Sequence, residues 1–381
     1  MKILHIIKTC EGASWAVRQI RELILLGHEV HVLMPKGKMN KNYKSIGAHV
    51  YLFPRLLTIK KPIFFVSNLI YLKKMVKSVC PDIIHSHFYL TTIMMRIALV
   101  NNNTPRIFHV PGPLHLEHIL FKKIDLILAS KHDYWLASCK WVQNEYLISS
   151  IDSQRVGLAY YGVDSSFFQE ESIQYDLRGD LGLASDTPII GMVAYFYAPK
   201  KYLNQKTGLK GHEDLIDALP LVLKSFPDVK CIFVGSAWDG CDWYFDQVVE
   251  YAEKIAPNTC YFLGYRDDVK NIYKSIDISV HPSHSENVGG ALESLARSVP
   301  TIATNIGGFP DLIEDGKTGF LVPVSSPQLL AKKISWMLGN KNNAVKMGER
   351  GKIKAQNLMD IKVCALEIDE FYSHIVKGVI Q

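Results

Sequence analysis

The sequence predicts an α/β protein with two doubly wound parallel-sheet domains that face a cleft. Short runs rich in Val and Ile alternate with amphipathic segments, and this alternation starts again in the second half of the chain. Such runs are typical of parallel strands that helices cover on both faces. A length of 381 residues also favours two hydrophobic cores over one.

The first half of the chain predicts a sheet of six buried strands with helices between them. Apolar residues recur at helical spacing in residues 16–26 and 133–147. The strands are expected at residues 2–7, 29–34, 49–53, 82–85, 106–110 and 125–129.

The second half predicts another sheet and a long terminal helix. Strands are expected at residues 189–195, 229–235, 261–264, 277–281 and 301–304, and helices at residues 212–225, 243–255, 268–275 and 288–296. The polar segment 167–187 marks the boundary, so the domains are expected to span residues 1–170 and 171–357. Residues 358–381 predict a helix that either returns to the first domain, as we expect, or caps the second.

Composition and charge exclude several classes of protein. The net charge is +6 and no run of Lys or Arg exceeds two residues, so nucleic acid is not an expected partner. The seven cysteines are scattered and form no C-x-x-C, which favours reduced thiols in the cytoplasm over disulfides or a zinc site. The start of the chain does not look like a signal peptide, and the apolar run at residues 62–72 is too short to span a bilayer.

The most informative segment is residues 283–296. Two glycines open an apolar helix directly after a predicted strand, which lets an anion approach bare backbone N–H groups. Glu293 offers a carboxylate to the hydroxyl pair of a sugar, and with Glu286 it also fits general acid/base work. Phosphate and ribose side by side describe a nucleotide. The candidate binding residues are Ser285, Glu286, Asn287, Val288, Gly289, Gly290 and Glu293.

Two further loops are candidates for contact with an anionic ligand. Gly12 and Ala13 follow the first strand and precede a helix, where small residues expose backbone amides. The same turn also fits a purely structural need for a positive φ. Lys210 precedes a helix after the strand at 189–195, where its ammonium group can reach a diphosphate, although a lysine is more often simply solvated.

Histidines are concentrated near two predicted strand ends. His85 and His87 end one strand, and His109, His115 and His118 lie on or after the next. Strand ends in this architecture face the ligand, so structural, substrate-binding or catalytic, and metal-binding roles are all compatible with them. No metal-ligand spacing is present, and we therefore predict no metal site.

Residues 55–77 join five lysines to large apolar side chains. The mixture fits either a surface that rests on anionic lipid or a core helix with a solvated lysine face. We expect a cytoplasmic protein, with peripheral contact to an anionic membrane if this surface binds lipid.

The chain resembles the family 4 glycosyltransferases, which have the GT-B fold of two Rossmann-like domains. The resemblance covers nearly the whole chain and rests on many motifs in the family's order. They are Gly12-Ala13 with Gly-His-Glu-Val at 27–30, Pro-Asp-Ile-Ile-His-Ser-His at 81–87, Gly-Val-Asp at 162–164, Lys210-Gly211, Leu-Gly at 263–264, Asp-Val at 268–269, His-Pro-Ser at 281–283, residues 286–293, and the glycine-rich run 307–323.

The resemblance implies an enzyme that moves a hexosyl group with retention of anomeric configuration, in surface polysaccharide biosynthesis. It implies a nucleotide-sugar donor on the second domain, for which we expect UDP over GDP, a glycan or lipid-linked acceptor on the first, and no required metal or other cofactor. Glu293 would bind the ribose hydroxyls and Glu286 would lie near the donor sugar. Lys210 and the amides of Gly289 and Gly290 would neutralise the diphosphate.

Three departures from the family pattern affect the site. Six residues instead of seven separate the two carboxylates, so either Ser285 or Glu286 fills the first position. The family's phosphate-binding arginine has no counterpart. Pro111 stands where the family has its cleft histidine, which leaves His109 and His115 as catalytic candidates.

Two other functions are compatible with the same residues. A nucleotide-sugar epimerase would use Glu286 and a histidine for proton transfer at a sugar carbon, and it would need no acceptor. A non-catalytic sugar-nucleotide-binding protein is disfavoured by the lysine beside two glutamates. An NAD dehydrogenase is the least favoured, because the G-x-G-x-x-G fingerprint is incomplete.

Overall fold

A computed structural model of the chain describes residues 1–169, 175–200, 205–238 and 240–380. The chain forms two compact units. One contains Met1–Ser165 and Leu358–Gln381, and the other contains Ser166–Asn357. The domain boundary predicted at residues 170 and 171 lies outside the described residues. No helix in the described ranges is both long and apolar enough to cross a bilayer.

The first unit is built on a parallel sheet of seven strands in the order β3-β2-β1-β4-β5-β6-β7. The inner strands are almost wholly buried, which explains their continuous apolar sequences. The strands are β1 (Lys2–Ile6), β2 (Glu29–Met34), β3 (His49–Leu52), β4 (Ile83–Ser86), β5 (Arg106–Val110), β6 (Asp133–Ala137) and β7 (Val156–Leu158).

Helices cover both faces of this sheet, and the last helix of the chain is one of them. Ile368, Tyr372 and Ile375 of that helix join the core that contains Ala16 and Ile20 of the first helix. The helices are α1 (Ser14–Leu25), α2 (Asn40–Ser45), α3 (Pro62–Val79), α4 (Tyr89–Ala98), α5 (Leu114–Glu117), α6 (Ile119–Ile127), α7 (Lys140–Leu147) and, at the end of the chain, α16 (Ile361–Ile380).

The prediction for residues 125–147 is wrong in two places. Residues 125–127 end helix α6 instead of forming a strand, and residues 133–137 form strand β6 instead of starting a helix. A short apolar run does not distinguish a strand from a partly buried helix. The decision comes from tertiary structure, because the buried Asp125 carboxylate accepts from Arg96 and from the Tyr146 hydroxyl.

The second unit repeats the architecture with a parallel sheet of six strands in the order β10-β9-β8-β11-β12-β13. The strands are β8 (Ile189–Val193), β9 (Lys230–Val234), β10 (Cys260–Phe262), β11 (Ile278–His281), β12 (Thr301–Thr304) and β13 (Phe320–Val322). The helices are α8 (Leu177–Asp180), α9 (His212–Leu223), α10 (Asp242–Ile255), α11 (Val269–Ser275), α12 (Gly289–Ala296), α13 (Phe309–Leu312), α14 (Pro327–Gly339) and α15 (Lys341–Leu358).

The strand order of the second unit determines where a ligand can bind. Strands β9 and β10 lie on one side of β8, whereas β11, β12 and β13 lie on the other. The connections therefore diverge between β8 and β11. Loops that leave neighbouring carboxyl ends in opposite directions open a crevice, which is the usual ligand site of such sheets.

Candidate active site

A concave pocket of about 350 Å³ lies at this divergence point in the second unit. Its walls come from the ends of β8, β9 and β11, the loop after β10, the loop before α9 and the start of α12. Five of the predicted binding residues line it together, although they are spread over more than eighty positions of sequence. They are Lys210, Glu286, Gly289, Gly290 and Glu293.

Lys210 and Glu286 form an ion pair inside the pocket. The Lys210 ammonium donates to Glu286 Oε2, and the side chains are 18% and 12% exposed. Glu286 Oε1 accepts from the backbone N–H of Asn287 at 3.0 Å, and the ammonium lies 5.7 Å from the centre of the Tyr197 ring. The Glu286 carboxylate thus holds the ammonium on the pocket wall, where another anion can compete with the carboxylate for it.

The backbone around Lys210 explains why glycine follows it. Gly211 has φ of +73°, and a Cβ at this position would lie 2.1 Å from the Pro282 carbonyl oxygen. The His284 N–H donates to the Leu209 carbonyl at 2.8 Å, which joins the same two loops. Only glycine allows this approach, and the approach brings the lysine to the loop that carries Glu286.

The start of α12 presents backbone to the pocket. Gly289 and Gly290 are its first two residues, and their N–H groups belong to the helix N-terminus, where an anion is favoured. A Cβ on Gly290 would lie 3.1 Å from His281 Nδ1 and 3.3 Å from the Val193 carbonyl oxygen. The glycine therefore lets α12 pack closely against the ends of β8 and β11.

Glu293 lies one turn further along α12 and also faces the pocket. Burial raises the pKa of its carboxyl group, and nearby Arg297 opposes that rise. Burial and the charge of Lys210 lower the pKa of His281, also on the pocket wall, to about 3. Burial therefore favours the neutral form of the His281 ring.

Three predicted binding residues lie in the same loop but not on the pocket wall. They are Ser285, Asn287 and Val288. Ser285 is buried, and its hydroxyl has no hydrogen-bond partner among the described residues. Of the two candidates for the first carboxylate position, Glu286 is the one that lines the pocket.

Several residues of the site were missed in the sequence. Gly307 and Gly308 pack on this loop, since a Cβ on Gly307 would lie 1.8 Å from the Glu286 carbonyl oxygen. Their place in the glycine-rich motif at 307–323 was the available signal. Arg266 also lines the pocket, and its guanidinium donates to both carboxylate oxygens of Asp268, at 2.7 and 2.6 Å. No motif in the sequence points to this second cation.

The other four predicted site residues belong to the first unit. Gly12, with φ of +70°, and the buried Ala13 immediately precede α1. His109 is fully buried, donates from Nε2 to the Ala159 carbonyl at 3.1 Å and stacks on Tyr161. Burial lowers the pKa of His109 to about 3.

His115 is a member of a buried charge network. Its Nε2 donates to the Tyr146 hydroxyl at 3.0 Å, and that hydroxyl donates to Asp125 at 2.7 Å. Asp125 also accepts from Arg96, which pairs in turn with Asp133 at 3.0 Å. These contacts orient His115 within the core of the first unit.

The pocket of the second unit combines three chemical features. A lysine ammonium and a helix N-terminus both attract the oxygens of a phosphate group. A carboxylate one turn along the helix accepts from hydroxyl groups. Aromatic rings, Tyr195 and Tyr197, form part of the wall. The arrangement is suited to a ligand with a polyanionic centre and hydroxyls on either side.

Comparison with known proteins identifies the family. The profile described as glycosyl transferases group 1 matches residues 202–354, and that described as glycosyltransferase family 4 matches residues 12–167. The chain belongs to the family 4 glycosyltransferases. The resemblance predicted from the sequence motifs is thereby confirmed. The matched regions contain Gly12, the glycine pair at 289 and 290, and the glycine-rich run 307–323.

Relatives extend over the full length of this glycosyltransferase. A capsular polysaccharide biosynthesis glycosyltransferase of Staphylococcus aureus, CapM, is 24% identical over 99% of the chain and 98% of its own length. The Anabaena protein Alr3699/HepE, solved in complex with UDP, is 21% identical with a TM-score of 0.79 over 98% of this chain and 100% of that one. A Rickettsia africae glycosyltransferase has a TM-score of 0.80 at 22% identity over 99% of both chains. These structures confirm the predicted fold of two Rossmann-like domains, GT-B.

Proposed function

We propose that this glycosyltransferase moves a hexosyl group from a UDP-sugar to a glycan or lipid-linked acceptor, with retention of anomeric configuration. The observation that carries the proposal is the meeting of Lys210, the amides of α12 and Glu293 in one pocket. The Anabaena protein of similar fold was solved with UDP and also with UDP-glucose, which supports UDP over GDP.

The residues of the pocket have separate roles in this proposal. The diphosphate lies between Lys210 and the N–H groups of Gly289 and Gly290, and Glu293 accepts from the ribose hydroxyls. The bond between the anomeric carbon and the diphosphate oxygen breaks, and its electron pair leaves on the diphosphate. The acceptor oxygen bonds to the carbon, and its proton passes to the departing diphosphate. Lys210 and the amides stabilise the charge that develops on phosphate.

Glu286 changes its hydrogen-bond partner during the proposed reaction. Its carboxylate accepts from the Lys210 ammonium. A bound diphosphate competes for the same ammonium, which leaves Glu286 available to accept from a hydroxyl of the donor sugar. We assign no step to His109 or His115, because Nε2 of each ring already contacts a protein group in the core of the first unit.

The transfer step is proposed to require no metal. The cations that line the pocket, Lys210 and Arg266, are side chains of the protein, and lysine is a common binder of phosphate. Brief addition of EDTA with the donor should leave the initial rate within about twofold. A loss of activity that Mg²⁺ or Mn²⁺ restores would contradict this part of the proposal.

The acceptor is proposed to be part of a surface polysaccharide, since CapM is named for capsular polysaccharide biosynthesis. A membrane contact in the first unit fits an acceptor carried on lipid. Ile63, Val66 and Ile70 are 82%, 51% and 53% exposed on α3. At 100° per residue they share one stripe of the helix with the exposed Lys73, Lys74 and Lys77. Such a stripe can rest on an anionic leaflet.

Vesicle co-sedimentation tests the membrane contact. The wild-type protein should bind anionic vesicles more than neutral ones, and Lys73, Lys74 and Lys77 changed together to Gln should abolish the difference. The matched control changes three exposed lysines of the second unit, Lys254, Lys341 and Lys346, to Gln. Equal loss in both triple variants would show a general charge effect and would remove α3 from the proposal.

Thermal stabilisation by a panel of UDP-, GDP- and ADP-sugars tests the proposed donor. A ligand at about 100 times its dissociation constant adds about 2.7 kcal/mol to the stability of the unit that binds it. UDP-sugars should raise the melting temperature most, and the Glu293→Ala variant should lose most of that rise. If only GDP-sugars or only ADP-sugars raised the melting temperature, the proposed uracil base of the donor would be wrong.

A further inference from the structure

Four histidines share one face of the first unit's sheet, near the carboxyl ends of its central strands. His5 on β1 is the register partner of His85 on β4, and His87 follows two residues later on the same face because side chains alternate. The ring centroids of His5, His85 and His87 are 4.3 to 5.1 Å apart. His109 on β5 closes one side, 5.3 Å from His85. All four are fully buried.

Each of these imidazoles has one ring nitrogen without a hydrogen-bond partner among the described residues. Their other nitrogens are bonded. A hydrogen bond of 2.9 Å joins His5 Nδ1 to His87 Nε2. His85 Nδ1 contacts the Tyr372 hydroxyl, and His109 Nε2 donates to the Ala159 carbonyl. Buried polar groups are rarely left unsatisfied, so the free Nε2 of His85, beside the paired nitrogens of His5 and His87, points to a ligand.

We propose that His5, His85 and His87 form a binding site for a late first-row divalent ion of the Zn²⁺, Co²⁺ or Ni²⁺ class. One ring nitrogen of each lies within 4.8 Å of one nitrogen of each of the others. Tetrahedral Zn²⁺ with bonds of about 2.0–2.1 Å needs nitrogens about 3.3 Å apart. The ion would replace the proton between His5 and His87, whose nitrogens would part by a few tenths of an ångström.

The surroundings favour metal binding over protonation. Imidazole ligates in its neutral form, and the complete burial of His5, His85 and His87 disfavours a charged ring. The Tyr372 hydroxyl on His85 Nδ1 is the kind of outer contact that orients a ligating ring. Three neutral ligands leave one position of a tetrahedral ion open, which hydroxide or another small anion would fill and so halve its charge.

A second cluster in the same unit provides the matched control. Glu29, His31 and His49 also lie within 4.8 Å of one another, but Glu29 and His49 are exposed. Both nitrogens of His31 already have partners, Glu29 at 2.8 Å and the Tyr51 hydroxyl at 3.2 Å. This cluster therefore has no unsatisfied ligand atom on its central ring, and it would bind metal only adventitiously.

The experiment uses the full chain prepared without a histidine tag. Metal content is measured by mass spectrometry after purification, and the chelator-stripped protein is then titrated with Co²⁺, followed by Zn²⁺. About one ion per chain is expected, with a visible Co²⁺ spectrum of tetrahedral type that Zn²⁺ abolishes. X-ray absorption of the Co²⁺ protein should show imidazole nitrogens at about 2.0–2.1 Å. This measurement on the wild-type chain does not depend on whether a variant folds.

Variants separate the two clusters. His87→Gln should reduce affinity at least about 100-fold, and Tyr372→Phe about 10- to 100-fold while the stoichiometry stays at one. His49→Gln should change neither value. The proposal is overturned if the wild-type chain binds no stoichiometric ion, if His87→Gln binds as tightly as wild type, or if His49→Gln abolishes binding. The result is independent of the donor proposed above, because no step of transfer uses this site.

Discussion

Replacing Lys210 with Ala should slow glycosyl transfer far more than it changes the stability of the protein. The Lys210 side chain is 18% exposed, lines the pocket and pairs there with Glu286. A unit charge about 4 Å from a phosphate oxygen, at an effective dielectric constant of about 20, is worth about 4 kcal/mol. Partial exposure reduces that figure, so a loss of about 2–4 kcal/mol in the transition state is expected. This corresponds to a decrease in kcat of about 30- to 1,000-fold.

The assay for this prediction is steady-state release of UDP with saturating donor and acceptor. Lys206→Ala is the matched control, because Lys206 is an exposed lysine of the same loop and does not line the pocket. A Lys210→Ala enzyme with kcat within threefold of wild type would refute the role of the lysine. An equal decrease in Lys206→Ala would show that the charge of the loop, and not its contact with the diphosphate, is responsible.

Three further predictions concern donor affinity, the first unit and pH. Glu293→Ala should raise KM for the donor about 10- to 100-fold with little change in kcat, because contacts with ribose hydroxyls are equal in ground and transition states; a fall in kcat alone would contradict the ribose role. Asp125→Asn should destabilise the first unit by about 3–5 kcal/mol in urea unfolding, since it leaves the buried Arg96 with one carboxylate fewer, whereas Asp186→Asn at an exposed position should have no effect. Burial, and secondarily Lys210, lower the pKa of His212 from 6.5 to about 3, so below pH 6.5 the unfolded state takes up a proton that the native state does not. The free energy of unfolding should therefore fall as the pH is lowered from about 6.5 to 3. In a His212→Gln variant it should fall by about 1.4 kcal/mol less per pH unit than in wild type; the same pH dependence in both proteins would contradict the burial of a neutral imidazole.

Much of the pocket in the second unit could be predicted because each of its parts follows a strand of one parallel sheet. Lys210 precedes Glu286 and Glu293 by more than seventy residues, yet all three lie in segments that start at the same edge of the second sheet. The repeated strand–helix pattern of the sequence is enough to predict that these segments meet at the carboxyl ends of the strands. The glycine pair at 289 and 290 could be predicted for the same reason, because it opens the helix that follows β11.

Other features depend on contacts that no local pattern records. Residues 125–127, expected to start a strand, end helix α6, and Asp125 there is fixed by Arg96 and Tyr146, both distant in sequence. The three-histidine cluster requires the register of β1 on β4, which places His5 beside His85 across eighty residues. Apolar periodicity predicts neither pairing, because it indicates which face of a strand is buried but not which element packs beside it.

The central claim is that this pocket transfers a glycosyl group to an acceptor. The most direct test incubates the enzyme with a UDP-sugar, alone and with a short-chain lipid-linked sugar acceptor, and follows products by proton NMR. We expect UDP release to require the acceptor and the new linkage to keep the anomeric configuration of the donor. Conversion of the donor to an epimer without acceptor would instead show an epimerase. An inverted linkage would contradict the retaining mechanism, and an intact donor in both incubations, despite thermal stabilisation by that donor, would indicate binding without transfer.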